Sequence, residues 1–260
     1  MNVLAFDIET IPDVAAGRKL YALDGLSDAD VAEVMFHVRR KETGGSDFLR
    51  LHLQRVVAIS IAMRTHDAFK VWSLGEESSP ERELIQRFFD GIDRYTPILV
   101  SWNGGGFDLP VLHYRSLLHG IAAPRYWETG AEDQGFRWNN YLSRYHERHT
   151  DLMDVLSGYQ PRASAPLDEI AVLLGLPGKM GRSGGQVWER FLRGDITGIR
   201  DYCEIDALNT YLVYLRFELM RGHLSADQYA EECRLVRDTL SKAGKPHFEE
   251  FLRAWEFSGR

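Results

Sequence analysis

The sequence predicts an α/β fold: a mixed sheet flanked by helices, with extra helices at the carboxyl end. Three observations carry this. The chain opens on an apolar run, Val3-Leu4-Ala5-Phe6. Two strand-like stretches joined by a short polar turn follow between residues 54 and 73. Beyond residue 166, almost every apolar pattern has helical spacing.

The elements follow in order. Val3 to Phe6 reads as a buried strand. Residues 13–54 read as a polar, partly helical insertion, with the clearest helix signal over Asp28 to Phe36. Gln54 to Arg64 and Ala68 to Ser73 form a predicted hairpin around the turn Thr65-His66-Asp67. Glu81 to Ile92 is an amphipathic helix introduced by Ser78-Ser79-Pro80, and it leads into a short buried strand, Ile98 to Trp102. A helix from about Leu109 to Gly120 comes next. Pro166 to Leu174, Gly185 to Arg193, Ile196 to Arg221 and Ala226 to Lys242 complete the predicted helices. Gly178 to Gly185 is the most loop-like segment, basic and glycine-rich, and fits either a connector or a flap over a substrate backbone. There is no internal repeat. Residues 1–220 are expected to form one domain, with 221–260 a helical extension packed on it.

Composition sets outer limits. With 260 residues, 44% of them hydrophobic, the chain can bury a substantial core. No apolar stretch approaches the roughly 18 residues of a membrane span, and the amino terminus lacks the pattern of a signal peptide. Cys203 and Cys233 form no CxxC pair, so neither a disulfide framework nor a zinc pattern is present. A cytoplasmic location, with no membrane partner, is the default expectation.

Three acidic signatures carry the chemistry. In Phe6-Asp7-Ile8-Glu9-Thr10, strand alternation projects Asp7 and Glu9 to the same side, where they repel unless a hard cation such as Mg²⁺ lies between them. In Asn103-Gly104-Gly105-Gly106-Phe107-Asp108, the final aspartate falls where a strand turns into a helix, able to cap that helix or to face a site. The glycines match neither dinucleotide nor P-loop spacing. In Tyr202-Cys203-Glu204-Ile205-Asp206, Tyr202 and Asp206 are one helical turn apart on one face. Taken singly, each signature also fits solvated acids at ordinary element ends.

Taken together, in this order, they resemble the DEDD superfamily of 3′-to-5′ exonucleases in its tyrosine branch. Within that group the chain is similar to stand-alone bacterial proteins related to the proofreading exonuclease domain of family B DNA polymerases. The resemblance spans about residues 1–220 and implies an RNase H-like fold with a mixed five-stranded sheet. It assigns Asp7, Glu9, Asp108 and Asp206 as ligands of two divalent cations, Mg²⁺ or Mn²⁺, and Tyr202 as the group that positions the attacking water. The histidine used by the sister branch would stand at Asp201, so the tyrosine branch fits. Thr10, Asn103, Phe107, Asp151 and Lys179 are candidate substrate-binding residues, Asp151 on the strength of the resemblance. His149-Thr150-Asp151-Leu152 is expected just after a strand near the site, with Asp151 either supporting the site or capping the helix that follows. The implied reaction is hydrolysis of 3′-terminal phosphodiester bonds of nucleic acid with a free 3′ end. Single-stranded DNA is favoured by analogy with proofreading, and RNA is possible. The alternatives are a binding module of the same fold with little turnover, an oligoribonuclease or RNA-processing exonuclease, and a phosphoesterase acting on smaller substrates.

A net charge of −7 runs against general polyanion binding but not against an enzyme that grips a few terminal nucleotides. Arg39-Arg40-Lys41, Arg144 with Arg148, and Lys179 to Arg182 are candidate phosphate contacts; Trp102, Phe107, Trp127 and Trp138 are candidate base-stacking rings.

Overall fold

A computed structural model describes residues 2–181 and 184–258. Strand β1 (Val3–Pro12) is followed by helices α1 (Val14–Tyr21) and α2 (Asp28–Thr43), then by β2 (Gln54–Arg64) and β3 (Phe69–Ser73). Helix α3 (Glu81–Tyr95), β4 (Ile98–Ser101), α4 (Asp108–His119), the short α5 (Pro124–Trp127), β5 (His149–Asp151) and α6 (Leu152–Leu156) come next. Helices α7 (Leu167–Leu173), α8 (Val187–Leu192), α9 (Ile196–Met220), α10 (Ala226–Ala243) and α11 (Pro246–Ser258) complete the described chain.

The sheet has five strands in the order β3-β2-β1-β4-β5. β1 pairs antiparallel with β2 and parallel with β4, so the sheet is mixed, as the sequence predicts for an RNase H-like α/β fold. β1 outruns its apolar codeword. Asp7 and Glu9 are carried into the strand by pairing with Ser60 and Ala58 of β2, and the ladder shifts register between Glu9 and Thr10. Such a bulge bends the strand locally and re-aims the side chains beside it.

Strand alternation decides which face receives the acids. Leu4, Phe6 and Ile8 belong to the cluster formed with Phe88 of α3 and Leu109 and Leu112 of α4. Val3 and Ala5 belong to the opposite cluster, with Ile205, Leu208 and Leu212 of α9. Each fully buried side chain of this kind contributes roughly 1.5–3 kcal/mol, which fixes the register firmly. Asp7 and Glu9, in phase with Val3 and Ala5, therefore face α9.

Helix α9 reads as amphipathic in sequence but is buried around almost its whole circumference. The reason is its cover. Val236 and Leu240 of α10 and Phe248, Phe251 and Trp255 of α11 join the same core. The i, i+3, i+7 spacing of Phe248, Phe251 and Trp255 is the signal for α11, an element to which the sequence reading gave no boundaries. α10 begins with a capping box between Ser225 and Gln228. β4 ends at Ser101, one residue before the predicted end, and α3 continues three residues beyond Ile92. None of the described helices is long and apolar enough to cross a membrane.

Candidate active site

Three elements converge. β1 supplies Asp7 and Glu9, the first turn of α4 supplies Asp108, and α9 supplies Tyr202 and Asp206. Asp108 Oδ1 accepts a hydrogen bond from the backbone N–H of Ile8 at 3.2 Å, tying the α4 start to the middle of β1. The buried Cys203 thiol donates to the Asp7 carbonyl at 3.3 Å, tying α9 to the same strand. One sulfur and one carboxylate oxygen each from Asp7 and Glu9 lie within 4.8 Å of one another. Burial pushes the Cys203 thiol up, with Asp7 and Glu9 adding to the effect, so it stays a neutral donor.

The carboxylates are poorly compensated. Glu9, Asp108 and Asp206 are 7%, 5% and 4% exposed. Asp7 is half-buried as a residue, yet its Oδ2 is sealed from solvent without a hydrogen-bond partner, and so is Asp206 Oδ1. Burial raises the Asp7 carboxyl well above the usual range, helped by repulsion from Glu9, Asp206 and Asp108. Glu9 is raised by burial and then by Asp206, and burial takes Asp108 up to about 7. Asp206 is raised by burial even with a cation beside it. Buried oxygens without partners are costly and uncommon, and hard oxygen donors in this arrangement fit divalent cations.

That neighbouring cation is Lys179. Its ammonium lies 3.1 Å from Asp206 Oδ2 and 2.6 Å from the Tyr202 hydroxyl. The sequence places Lys179 in a basic, glycine-rich loop as a candidate phosphate contact, and the structure turns its ammonium onto Asp206 and Tyr202 of the acidic cage. Asp168 of α7 sets this course by accepting from the Lys179 backbone N–H at 2.6 Å. Burial works against the ammonium, but Asp206, Asp7 and Glu9 together outweigh it and the Lys179 pKa rises. Tyr202 is raised by burial and by Asp206, so its phenol keeps its proton and acts as a donor. One ammonium does not balance four acids.

Asp151 caps α6, one of the two readings the sequence left open, and it also braces the loop after β4. Its Oδ1 accepts from Asn103 N–H at 2.9 Å and its Oδ2 from Gly105 N–H at 2.8 Å, while the same side chain caps α6 through Asp154 N–H at 3.4 Å. It lies at the end of β5 itself rather than after a strand. The staple holds Asn103 in a left-handed conformation, φ 65°. Gly104 is required by crowding, because a Cβ there would fall 2.3 Å from Ser101 Oγ. Ser101 in turn bonds His149 Nε2 at 2.8 Å, and burial drops the His149 pKa to about 4.

The other candidates separate. Asn103 and Trp102 line a cavity of ≈470 Å³ together with Asp7, Lys179 and Asp206. Thr10 lies just past the bulge, its hydroxyl donating to Gln54 Oε1 at 3.0 Å. The Phe107 ring meets Phe48, with centroids 5.6 Å apart. Trp127 packs beside His113 and Tyr126, and Trp138 is 81% exposed; neither lines the cage cavity. The basic pairs are largely committed internally: Arg39 to Glu42, Arg40 to Glu33 and Asp47, Arg144 to Asp154, and Arg148 over the Phe136 ring. Arg182 lies outside the described residues.

Sequence reasoning missed the support behind α9. Glu204 accepts from Ser73 N–H and Oγ, both at 3.0 Å, and from Lys245 Nζ at 2.8 Å. The two ring nitrogens of His247 bond Glu204 Oε2 at 2.9 Å and Asp201 Oδ1 at 3.0 Å. No local signal announces this, since every partner is distant in sequence.

Comparison with known proteins agrees with the topology. A stretch of 42 residues is 52% identical to DNA polymerase 1 of Sulfurisphaera ohwakuensis, covering 16% of this chain and 5% of that protein. The chain therefore matches only a small part of that relative's length. A family described as "Predicted 3'-5' exonuclease related to the exonuclease domain of PolB" matches residues 46–255, a span that includes the Asn103–Asp108 and Tyr202–Asp206 signatures. With most of its length matched, the chain belongs to this family of 3′-5′ exonuclease relatives.

Proposed function

We propose that this chain is a 3′-5′ exonuclease that hydrolyses the 3′-terminal phosphodiester bond of single-stranded DNA. One observation carries the reading: four acids from three elements crowd together closely enough to repel one another, and Asp7 Oδ2 and Asp206 Oδ1 have no partner. Asp7, Glu9, Asp108 and Asp206 would hold two divalent cations, Mg²⁺ or Mn²⁺, which activate water and offset phosphate charge at neutral pH. Tyr202, a protonated phenol beside Asp206, orients the attacking water. Lys179 keeps the cage acids partly compensated, and a rotamer change brings its ammonium to a phosphate oxygen of the substrate. Asn103 brings its side-chain amide close to the strand, on a loop whose shape Asp151 maintains by accepting from the Asn103 and Gly105 N–H groups. Phe107 offers a ring to a base, and Thr10 borders the cage beyond Glu9.

DNA is favoured because the family is related to a DNA polymerase's exonuclease domain and the matched curated relative is itself a DNA polymerase. The test uses 5′-labelled single-stranded DNA and RNA of matched sequence with Mg²⁺ or Mn²⁺, and EDTA as control. A progressive 3′-shortened ladder on DNA, lost in EDTA and in Asp7→Ala, is expected. Full turnover by Asp7→Ala overturns the mechanism, and a ladder on RNA alone overturns the substrate.

A further inference from the structure

We infer that Phe48, with Phe107 beneath it, is a stacking platform for the unpaired base of the strand's 3′-terminal nucleotide. The inference rests on the exonuclease reading and adds a binding residue to it. Phe48 is held by its backbone: its carbonyl accepts from Arg39 Nε at 2.8 Å and its N–H donates to Ser46 Oγ at 3.3 Å. The next residue, Leu49, is 3% exposed in the cluster with Val31 and Met35 of α2. Phe48 as a residue is nonetheless 55% exposed. A phenyl group so placed is fixed in position yet leaves a face in water, which is what a sequence-tolerant base contact requires.

Its surroundings select the ligand. The Phe48 ring lies 5.6 Å from that of Phe107, tilted by 52°, and Phe107 directly precedes the cage residue Asp108. Phe48 also lines a cavity of ≈430 Å³ with Thr10, Phe36, Gln54, Arg40 and Trp188. Thr10 directly follows the cage residue Glu9, so platform and cavity each include a residue next in sequence to a cage acid, on two separate elements. The cavity does not suit a phosphate, because Arg40 is held by Glu33 at 2.5 Å and by Asp47 at 3.3 Å. Among the described residues of this wall, Glu33, Asp47 and Glu189 outnumber Arg40. Aromatic faces, polar edges at Thr10 and Gln54, and an anion-repelling rim fit an uncharged nucleobase. A base lodged there is unpaired, so the site also selects single strands over blunt duplex ends.

The test is a substitution series at this exposed position, read in Mn²⁺-supported hydrolysis of a single-stranded oligonucleotide. Phe48→Ala and Phe48→Leu are each expected to raise KM about tenfold, with the effect falling on KM rather than kcat, while Phe48→Trp keeps KM near the wild-type value. Leucine preserves apolar packing on Phe107 but offers no aromatic face. A second readout is fluorescence of 2-aminopurine as the 3′-terminal base, bound to the protein in an Asp206→Asn background. Quenching is expected to be lost with Ala and Leu and kept with Trp. Leu behaving as wild type, or no change in KM across the series, overturns the platform while leaving the exonuclease intact. A wild-type protein that neither shortens nor binds the oligonucleotide overturns the exonuclease reading itself.

Discussion

Glu204 and Asp206 lie two residues apart on α9, 3% and 4% exposed, yet their surroundings are opposite. Glu204 is met by the backbone and hydroxyl of Ser73, the Lys245 ammonium and the His247 ring. Burial would raise its carboxyl, but the hydrogen bonds of His247 and Lys245 hold it below the usual range. Asp206 has Lys179 on Oδ2 and nothing on Oδ1, and burial leaves its carboxyl raised. Burial is therefore common to both and decides neither. What differs is the supply of partners: a saturated carboxylate ties helices together, whereas an unsaturated one retains coordinating capacity for a cation.

The largest test of this contrast exchanges the two losses. Asp206→Ala is expected to reduce turnover to background while leaving the EDTA melting temperature unchanged or higher, because a repulsive buried charge has gone. Glu204→Ala is expected to cost about 3 kcal/mol in urea unfolding, since it strands the donors of Ser73, His247 and Lys245. The reverse assignment of rate loss and stability loss would erase the distinction.

A smaller effect is expected at Tyr202. Tyr202→Phe should slow turnover by about a hundredfold, in the range for positioned proton and water handling, while the Mn²⁺-induced rise in melting temperature persists. Loss of that metal-induced shift would make the phenol part of cation binding instead.

The mildest test is pH. Asp108 has its carboxyl raised from an ordinary 3.8 to about 7, so the folded state binds that proton more tightly than the unfolded chain. Its contribution to stability is fully present below 3.8 and is lost as pH climbs through about 7. Glu204 is lowered from an ordinary 4.5, so its contribution is present above that value and lost as pH falls through its folded pKa. In EDTA, denaturant titrations of wild type and Asp108→Asn should diverge in slope between 3.8 and about 7, with the variant flatter. Parallel slopes would remove Asp108 from the repulsive set.

This contrast also marks how far the sequence could be read. The strand carrying Asp7 and Glu9, the 54–73 hairpin and the helical pairing of Tyr202 with Asp206 follow from short-range periodicity, whereas the convergence of the signatures was implied only by the family resemblance. The different environments of Glu204 and Asp206 do not, because the partners of Glu204 lie 131 residues upstream at Ser73 and 41 and 43 residues downstream at Lys245 and His247. Lys179 was legible as a basic group in a glycine-rich loop but not as one turned inward by Asp168. Asp151 looked like a choice between cap and support because sequence does not show that one carboxylate accepts from both sides. Phe48 gave no signal, being a lone aromatic in a polar stretch whose meaning depends on Phe107.

Pro12 and Gln54 are direct cross-strand partners in the β1–β2 ladder, on the far side of the bulge from Asp7. Topologically, then, everything between them is the loop of a single antiparallel hairpin, however large. Long loops add little closure entropy, each doubling costing about 0.6 kcal/mol, so such a segment is a natural unit of exchange. Replacing residues 14–52 with a short turn would leave the pairing of Asp7 and Glu9 unaltered while removing Phe48 and its cavity. The cage acids of β1 and the Phe48 side of the proposed platform are in that sense carried by separable segments, joined at one pair of residues.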